Sequence, residues 1–250
     1  MSLFLPPELL DLIADHLHKE PATLKACCIV SKSWISRTRK YLFAHIQFFS
    51  PMRSVELWKQ TFPDPSSSLA PYTRTFSFLE FHSTTLVNPD VIGWIRSFDR
   101  VENLFLGFIR DSHGASLVQL HGFSPALKSI SLAYSTGLLS KILNFISTFP
   151  LLEDLVLMAG PYSNDTGKWI SPSTSPKFTG SLHIDGGVPS ITRWLCGLPG
   201  GLHFRQIHLS YQDDYTPLIA SLVSKCSNTL ESLIISGDDL GVFAVPFTIF

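Results

Sequence analysis

The sequence predicts the α/β class: three short helices at the N-terminus, then a right-handed β/α solenoid whose strands run parallel. Three observations predict it. An apolar-x-x-apolar-x-apolar pattern recurs along the chain at a nearly constant period. Segments carrying a helical apolar stripe fall between the copies. Hydrophobic residues make up 45% of the 250 residues and charged residues 16%, enough apolar material for each unit to bury a strand face and a helix face.

The helices come first. Leu5-Pro6-Pro7-Glu8 opens one, because proline is tolerated in a first turn and Glu8 and Asp11 suit the positive end of the helix dipole. Leu9, Leu10, Ile13, Ala14 and Leu17 follow at helical spacing, and Glu20-Pro21 ends the run. A second helix is predicted from Ala22 to Val30, with Leu24, Cys27, Cys28 and Val30 as its apolar residues. Ser31 caps a third, with Trp34 and Ile35 inside and Lys32, Arg37, Arg39 and Lys40 on its solvated side. Three helices in about 40 residues bury little apolar surface alone, so the unit must lean on a partner, on the rest of the chain, or on both.

The order Leu5-Pro6, Glu8-Leu9-Leu10, Ile13, Leu17, Leu24, Cys27-Cys28, Val30-Ser31-Lys32-Ser33-Trp34 resembles an F-box, over residues 4–46. That resemblance implies docking on the Skp adaptor and cullin scaffold of an SCF-type ubiquitin ligase. It assigns the docking surface, or its support, to Leu5, Pro6, Leu9, Leu10, Ile13, Leu17, Val30 and Trp34. The helical stripe favours Leu9, Ile13 and Leu24 as internal core over adaptor contact. Pro6 precedes the helix and is expected to be an exposed contact, while Trp34 divides between core and interface.

In residues 47–250, and starting just before them, the repeat is regular. Its full copies are Phe43-Ile46-Phe48, Val101-Leu104-Leu106, Leu127-Ile130-Leu132, Leu152-Leu155-Leu157, Phe204-Ile207-Leu209 and Leu230-Leu233-Ile235. Thr73-Phe76-Phe78 and Thr179-Leu182-Ile184 are weaker ones. The middle positions are spaced by 30, 28, 26, 25, 27, 25 and 26 residues, which leaves room for seven to eight strands. Helices are predicted at Val55–Trp58, Val91–Ile95, Leu138–Phe149, Ile191–Leu195 and Leu218–Val223, with Pro89, Pro189 and Pro217 near the starts of three. One strand and one helix in about 26 residues is similar to a leucine-rich repeat. Where that family places Asn or Cys, this chain has Ile109, Ser135, Gly160, Gly187, Gln212 and Asp238, so its turns are expected to be less regular. An F-box followed by such LRR-like repeats resembles a substrate-receptor type found in large fungal expansions.

Strand alternation points one set of side chains away from the core. Within it, or flanking it, Asn103, Phe105, Asp154, Val156, Met158, His183, Asp185, Gln206, His208 and Ile234 form the candidate target-binding face. His183, Asp185 and His208 could meet on neighbouring strands, but a metal centre needs a ligand geometry and supporting groups that a sequence does not show, so no metal and no cofactor is expected. Catalytic motifs are missing. Gly122-Phe123-Ser124-Pro125-Ala126 begins like a nucleophile elbow but lacks the second glycine, and adjacent Glu153 and Asp154 would face opposite sides of a strand. The chain is therefore read as a non-enzyme, a hydrolase using Ser124 being the weakest alternative.

Lys plus Arg number 19 against 20 Asp plus Glu, a net charge of -1, which argues against nucleic acid and anionic membranes as partners. Apolar runs fall short of a membrane span, the first twenty residues lack the pattern of a signal peptide, and Cys27, Cys28, Cys196 and Cys226 are too few for a disulfide framework. The expectation is a cytoplasmic or nuclear protein whose Asn164-Asp165-Thr166 sequon goes unused. Two loops are predicted, at residues 63–68 and 159–178. The apolar end, Val242 to Phe250, has no polar cap, which suggests a truncated gene product or closure against a partner. The functional expectation is a substrate receptor that binds an as yet unidentified target protein, the alternative being an LRR-like interaction scaffold outside any ligase.

Overall fold

Proline sets where the first helices begin. In the computed structural model, α1 (Pro7–His16) follows Pro6, whose extended backbone leads into Pro7 in the first helical turn, and α2 (Pro21–Val30) starts on Pro21 in the same way. For α3 (Lys32–Leu42), Ser31 Oγ accepts a hydrogen bond from the Ser33 amide, the capping expected of that serine. The structure describes residues 5–49, 51–79, 89–109, 115–134, 139–159, 176–186, 188–210, 216–237 and 241–246.

The three helices close on a very small interior of Leu10, Ala14, Leu24 and Thr38. Thr38 Oγ1 donates to the Trp34 carbonyl at 2.9 Å and lies 2.8 Å from Cys28 Sγ, tying α3 to α2. Charges tie α3 to α1: Arg37 Nε stands 2.9 Å from Asp11 Oδ1, and Lys40 Nζ 2.8 Å from Asp15 Oδ1. Tyr41 also donates to Asp15, and Lys40 with Tyr41 holds that carboxyl below its ordinary value. Two cations expected on a solvated face are thus paired across the helix interface.

From α3 the chain enters a sheet of nine strands in sequence order. The strands are β1 (His45–Phe48), β2 (Thr75–Phe78), β3 (Asn103–Ile109), β4 (Ser129–Tyr134), β5 (Asp154–Ala159), β6 (Ser181–Asp185), β7 (Gln206–Ser210), β8 (Ser232–Gly237) and β9 (Gly241–Pro246). Between them lie α4 (Pro51–Thr61), α5 (Pro65–Ser68), α6 (Pro89–Arg96), α7 (Ala115–Gln119), α8 (Leu139–Ile146), α9 (Val188–Cys196) and α10 (Thr216–Cys226). The first eight strands are all parallel.

The repeat read from the sequence is the register of this sheet. Ile46, Phe76, Leu104, Ile130, Leu155, Leu182, Ile207 and Leu233 are successive Cα partners across all eight parallel strands. They and most of the residues two further on are buried in one continuous core, with Val91, Trp94, Ile142, Ile191, Trp194 and Leu222 of the helices. The N-terminal end of that core is aromatic: Phe76 contacts the rings of Phe48, Phe78, Phe98 and Phe123. Phe43, at the end of α3, meets Trp58 and Phe62 edge-on and so packs the helical unit onto the sheet layer. A boundary drawn between residues 46 and 47 falls inside β1, a full member of the sheet.

Hydroxyls and charges link successive strand–helix units. Ser124 Oγ lies 2.8 Å from the Val101 carbonyl and 3.0 Å from that of Asp99, both in the preceding unit, and Thr229 Oγ1 donates to the Phe204 carbonyl at 3.1 Å. Just before the strands, Arg74, Glu102 and Lys128 alternate in sign, with Glu102 3.6 Å from Arg74 and 3.2 Å from Lys128. Arg205 and Glu231 repeat the pairing at 3.8 Å. These groups are partly exposed, so each pair contributes at most about 1 kcal/mol.

Three expectations are corrected. The sheet is not wholly parallel, since β9 runs antiparallel along β8, pairing Leu233 with Val245 and Ser236 with Val242. The predicted loop at 63–68 contains the single turn α5, with Pro65 buried. A further short helix, α7, stands where none was predicted. β3 is also irregular: its register shifts between Leu106 and Ile109, a bulge at which a Cβ on Gly107 would stand 2.5 Å from the Leu79 carbonyl oxygen. Residues 160–175 with the sequon, positions Ser135, Gly187, Gln212 and Asp238, and residues 247–250 lie outside the described residues.

Candidate functional site

Two surfaces carry the residues singled out by sequence. The first is the outer side of α1 and α2. Leu5, Pro6, Leu9 and Ile13 are exposed, together with Leu12, which sequence reasoning did not select. Leu9, Leu12 and Ile13 are spaced by three and four residues and so share one helix face. At the end of α2, Val30 is 81% exposed, and Ile29, also missed, is 87% exposed. Leu24 is buried as expected, but Leu9 and Ile13 are not core. α1 is apolar on more than one side, and its interior contact is made by Leu10 and Ala14, which leaves the other apolar side in solvent. Leu10 therefore supports the surface from behind, while Leu17 and Trp34 are half-buried at its margin. The overlooked signal was the i, i+3, i+4 spacing of a second apolar set.

The second surface is the sheet face turned away from the core. Asn103, Asp185 and Gln206 are exposed on it, and Phe105, Asp154, Val156, Met158, His183, His208 and Ile234 are half-buried. Pairing puts Phe105, Ser131, Val156, His183, His208 and Ile234 in one row across six strands, with Met158, Asp185 and Ser210 in the row beside it. Most of the predicted set is thus brought together on one face. Ser77 is the exception to the alternation, being buried with its hydroxyl 2.7 Å from His45 Nε2.

Asp154 also makes a contact that its strand position alone does not reveal. Its Oδ1 accepts from the Ser181 amide at 2.6 Å and from the Ser181 hydroxyl at 2.7 Å, so it clamps β6 to β5. Gly180 follows from that clamp, because a Cβ there would collide with the carboxylate. Asp154→Ala should lower stability by about 1–3 kcal/mol, the cost of leaving those donors without an acceptor. Urea denaturation measures it, and an unchanged midpoint would contradict the clamp.

The rings of His183 and His208 lie 4.3 Å apart between centroids. Burial, then the neighbouring His208, pushes His183 below its ordinary value, while Asp185 pulls it partly back. The folded chain then binds fewer protons at this residue than the unfolded chain does. Its contribution is fully present above about pH 6.5 and is lost as pH falls through the depressed folded value. His121 shifts in the same direction, through burial and Arg96. The urea midpoint should accordingly fall on acidification below that pH, and less steeply in His183→Gln; equal slopes would exclude His183 as a contributor.

Ser124 is buried, and the partners of its hydroxyl are backbone groups of residues 99, 101 and 126, a structural arrangement rather than that of an activated nucleophile. Among the described residues no helix is long and apolar enough to cross a membrane. The class that the fold defines is α/β, with eight parallel strands in sequence order and one antiparallel strand. No protein-family model matches the chain, and no curated protein matches it.

Proposed function

We propose that the chain is a non-catalytic substrate receptor of an SCF-type ubiquitin ligase, its helical unit docking a Skp-type adaptor and its repeats, read as an LRR-like solenoid, binding a target protein. The observation that carries this reading is the set of exposed apolar side chains, Leu5 before α1, Leu9, Leu12 and Ile13 on α1, and Ile29 and Val30 at the end of α2, on a three-helix unit whose sequence resembles an F-box. Apolar surface left in solvent in this way is costly unless a partner covers it. Pro6 stands exposed beside it, where an adaptor could reach it.

Target recognition falls to the outer sheet face. There Phe105, Val156, Met158 and Ile234 offer apolar contact, while Asn103, Asp185, Gln206, His183 and His208 offer hydrogen bonds, a mixture suited to a polypeptide. Successive parallel strands joined by helices with a period near 26 residues support the solenoid reading. Co-purification of the full chain with a Skp-type adaptor tests the proposal, with Pro6→Ala and Trp34→Ala expected to weaken it. Target capture without adaptor association would instead favour a scaffold working outside any ligase.

A further inference from the structure

His183 on β6 and His208 on β7 are register partners, so two imidazoles leave adjacent strands on the same outer face. Their ring planes meet at 61° with centroids 4.3 Å apart, and both rings are half-buried. A neutral imidazole carries one ring nitrogen with a free lone pair. Beyond His208, the Ser236 hydroxyl lies 3.5 Å from His208 Nε2 and 2.9 Å from the Ser210 hydroxyl. Hydroxyls behind an imidazole are the kind of outer contact that orients a ligating ring. Asp185 follows two residues after His183 and supplies negative charge beside the pair.

We propose that His183 and His208 form a two-imidazole chelating site for a borderline divalent transition cation: Cu2+, Ni2+ or Zn2+. The donor type decides the class, since imidazole nitrogen suits these ions while Mg2+ and Ca2+ require oxygen donors. Among the described residues no group of three or more His, Cys, Asp or Glu is placed to hold an ion. The remaining coordination positions therefore belong to water or to a donor from a bound partner. The site is open and exchangeable, unlike a four-ligand structural zinc centre.

The test is calorimetric titration of the untagged full chain with Cu2+, Ni2+ and Zn2+ at neutral pH, with electron paramagnetic resonance of the Cu2+-loaded chain. At the tightest site Cu2+ should bind most strongly, and its spectrum should show two nitrogen donors. Affinity should fall by at least roughly tenfold in His183→Gln and in His208→Gln and stay unchanged in His203→Gln. Acidification to about pH 5.5 should weaken it further, as protons compete for the nitrogens. A spectrum with fewer than two nitrogen donors overturns the proposal whether or not the variants fold, as does an affinity that both variants retain.

Discussion

Leu9→Glu and Val30→Glu should each weaken association with a Skp-type adaptor at least roughly thirtyfold while leaving the fold intact. Both side chains are in solvent in the free chain, Leu9 48% and Val30 81% exposed, so a carboxylate at either position costs the isolated protein little. In a complex the same carboxylate would be taken out of water against apolar surface. A central contact of this kind is worth at least about 2 kcal/mol, roughly a thirtyfold loss of affinity. Leu10→Glu is the contrasting variant: Leu10 is 7% exposed and belongs to the four-residue interior of the helical unit, so it should unfold that unit. Circular dichroism separates the two effects, and undiminished adaptor binding by folded Leu9→Glu and Val30→Glu chains would place the docking surface elsewhere.

Phe76→Ala should be among the most destabilising single substitutions in the sheet layer. The side chain is wholly buried, and its ring lies 4.6 Å from that of Phe98, 5.5 Å from Phe48 and 5.6 Å from Phe123, stacked on the last. Removing a buried phenyl ring costs about 3–5 kcal/mol through lost transfer energy and an incompletely collapsed cavity. Each aromatic contact adds roughly 0.5–1.5 kcal/mol. Against a total stability of about 5–15 kcal/mol, that is a large fraction, and a population of unfolded chain should appear at ambient temperature. Phe105→Ala, on the outer face, removes a half-buried ring from a solvated surface and should cost far less. Urea midpoints measure the pair; a Phe76→Ala loss below about 1 kcal/mol would mean that the aromatic cluster does not hold the first repeats together.

The sheet was legible because its signal is local and repeated. An apolar pair two residues apart marks each strand, and the first member of each pair is its register position, from Ile46 to Leu233. The helices at 51–61, 89–96, 139–146, 188–196 and 216–226 were legible from their apolar stripes and from proline near the starts of three of them. α5 and α7 were not, because helices of four and five residues are too short to show a period of 3.6. β9 was not, because its apolar run reads equally well as a strand or as an uncapped end until β8 is seen to need a partner.

The sites were legible in outline only. Periodicity established that α1 has an apolar face but could not say which of two would turn inward, so Leu9 and Ile13 were placed in a core that Leu10 and Ala14 occupy. The outer row from Phe105 to Ile234 followed directly from strand alternation. The clamp made by Asp154 was not legible because its partner, Ser181, is 27 residues away and becomes a neighbour only when the strands pair. The same holds for Glu102 with Arg74 and Lys128, although comparing one position through successive repeats would have exposed the alternating signs.

The most direct test of the account is gel filtration of the purified full chain mixed with a purified Skp-type adaptor at micromolar concentration. A single one-to-one complex is expected, lost in the Leu9→Glu chain. Two separate peaks at positions unchanged from those of the individual proteins would contradict it.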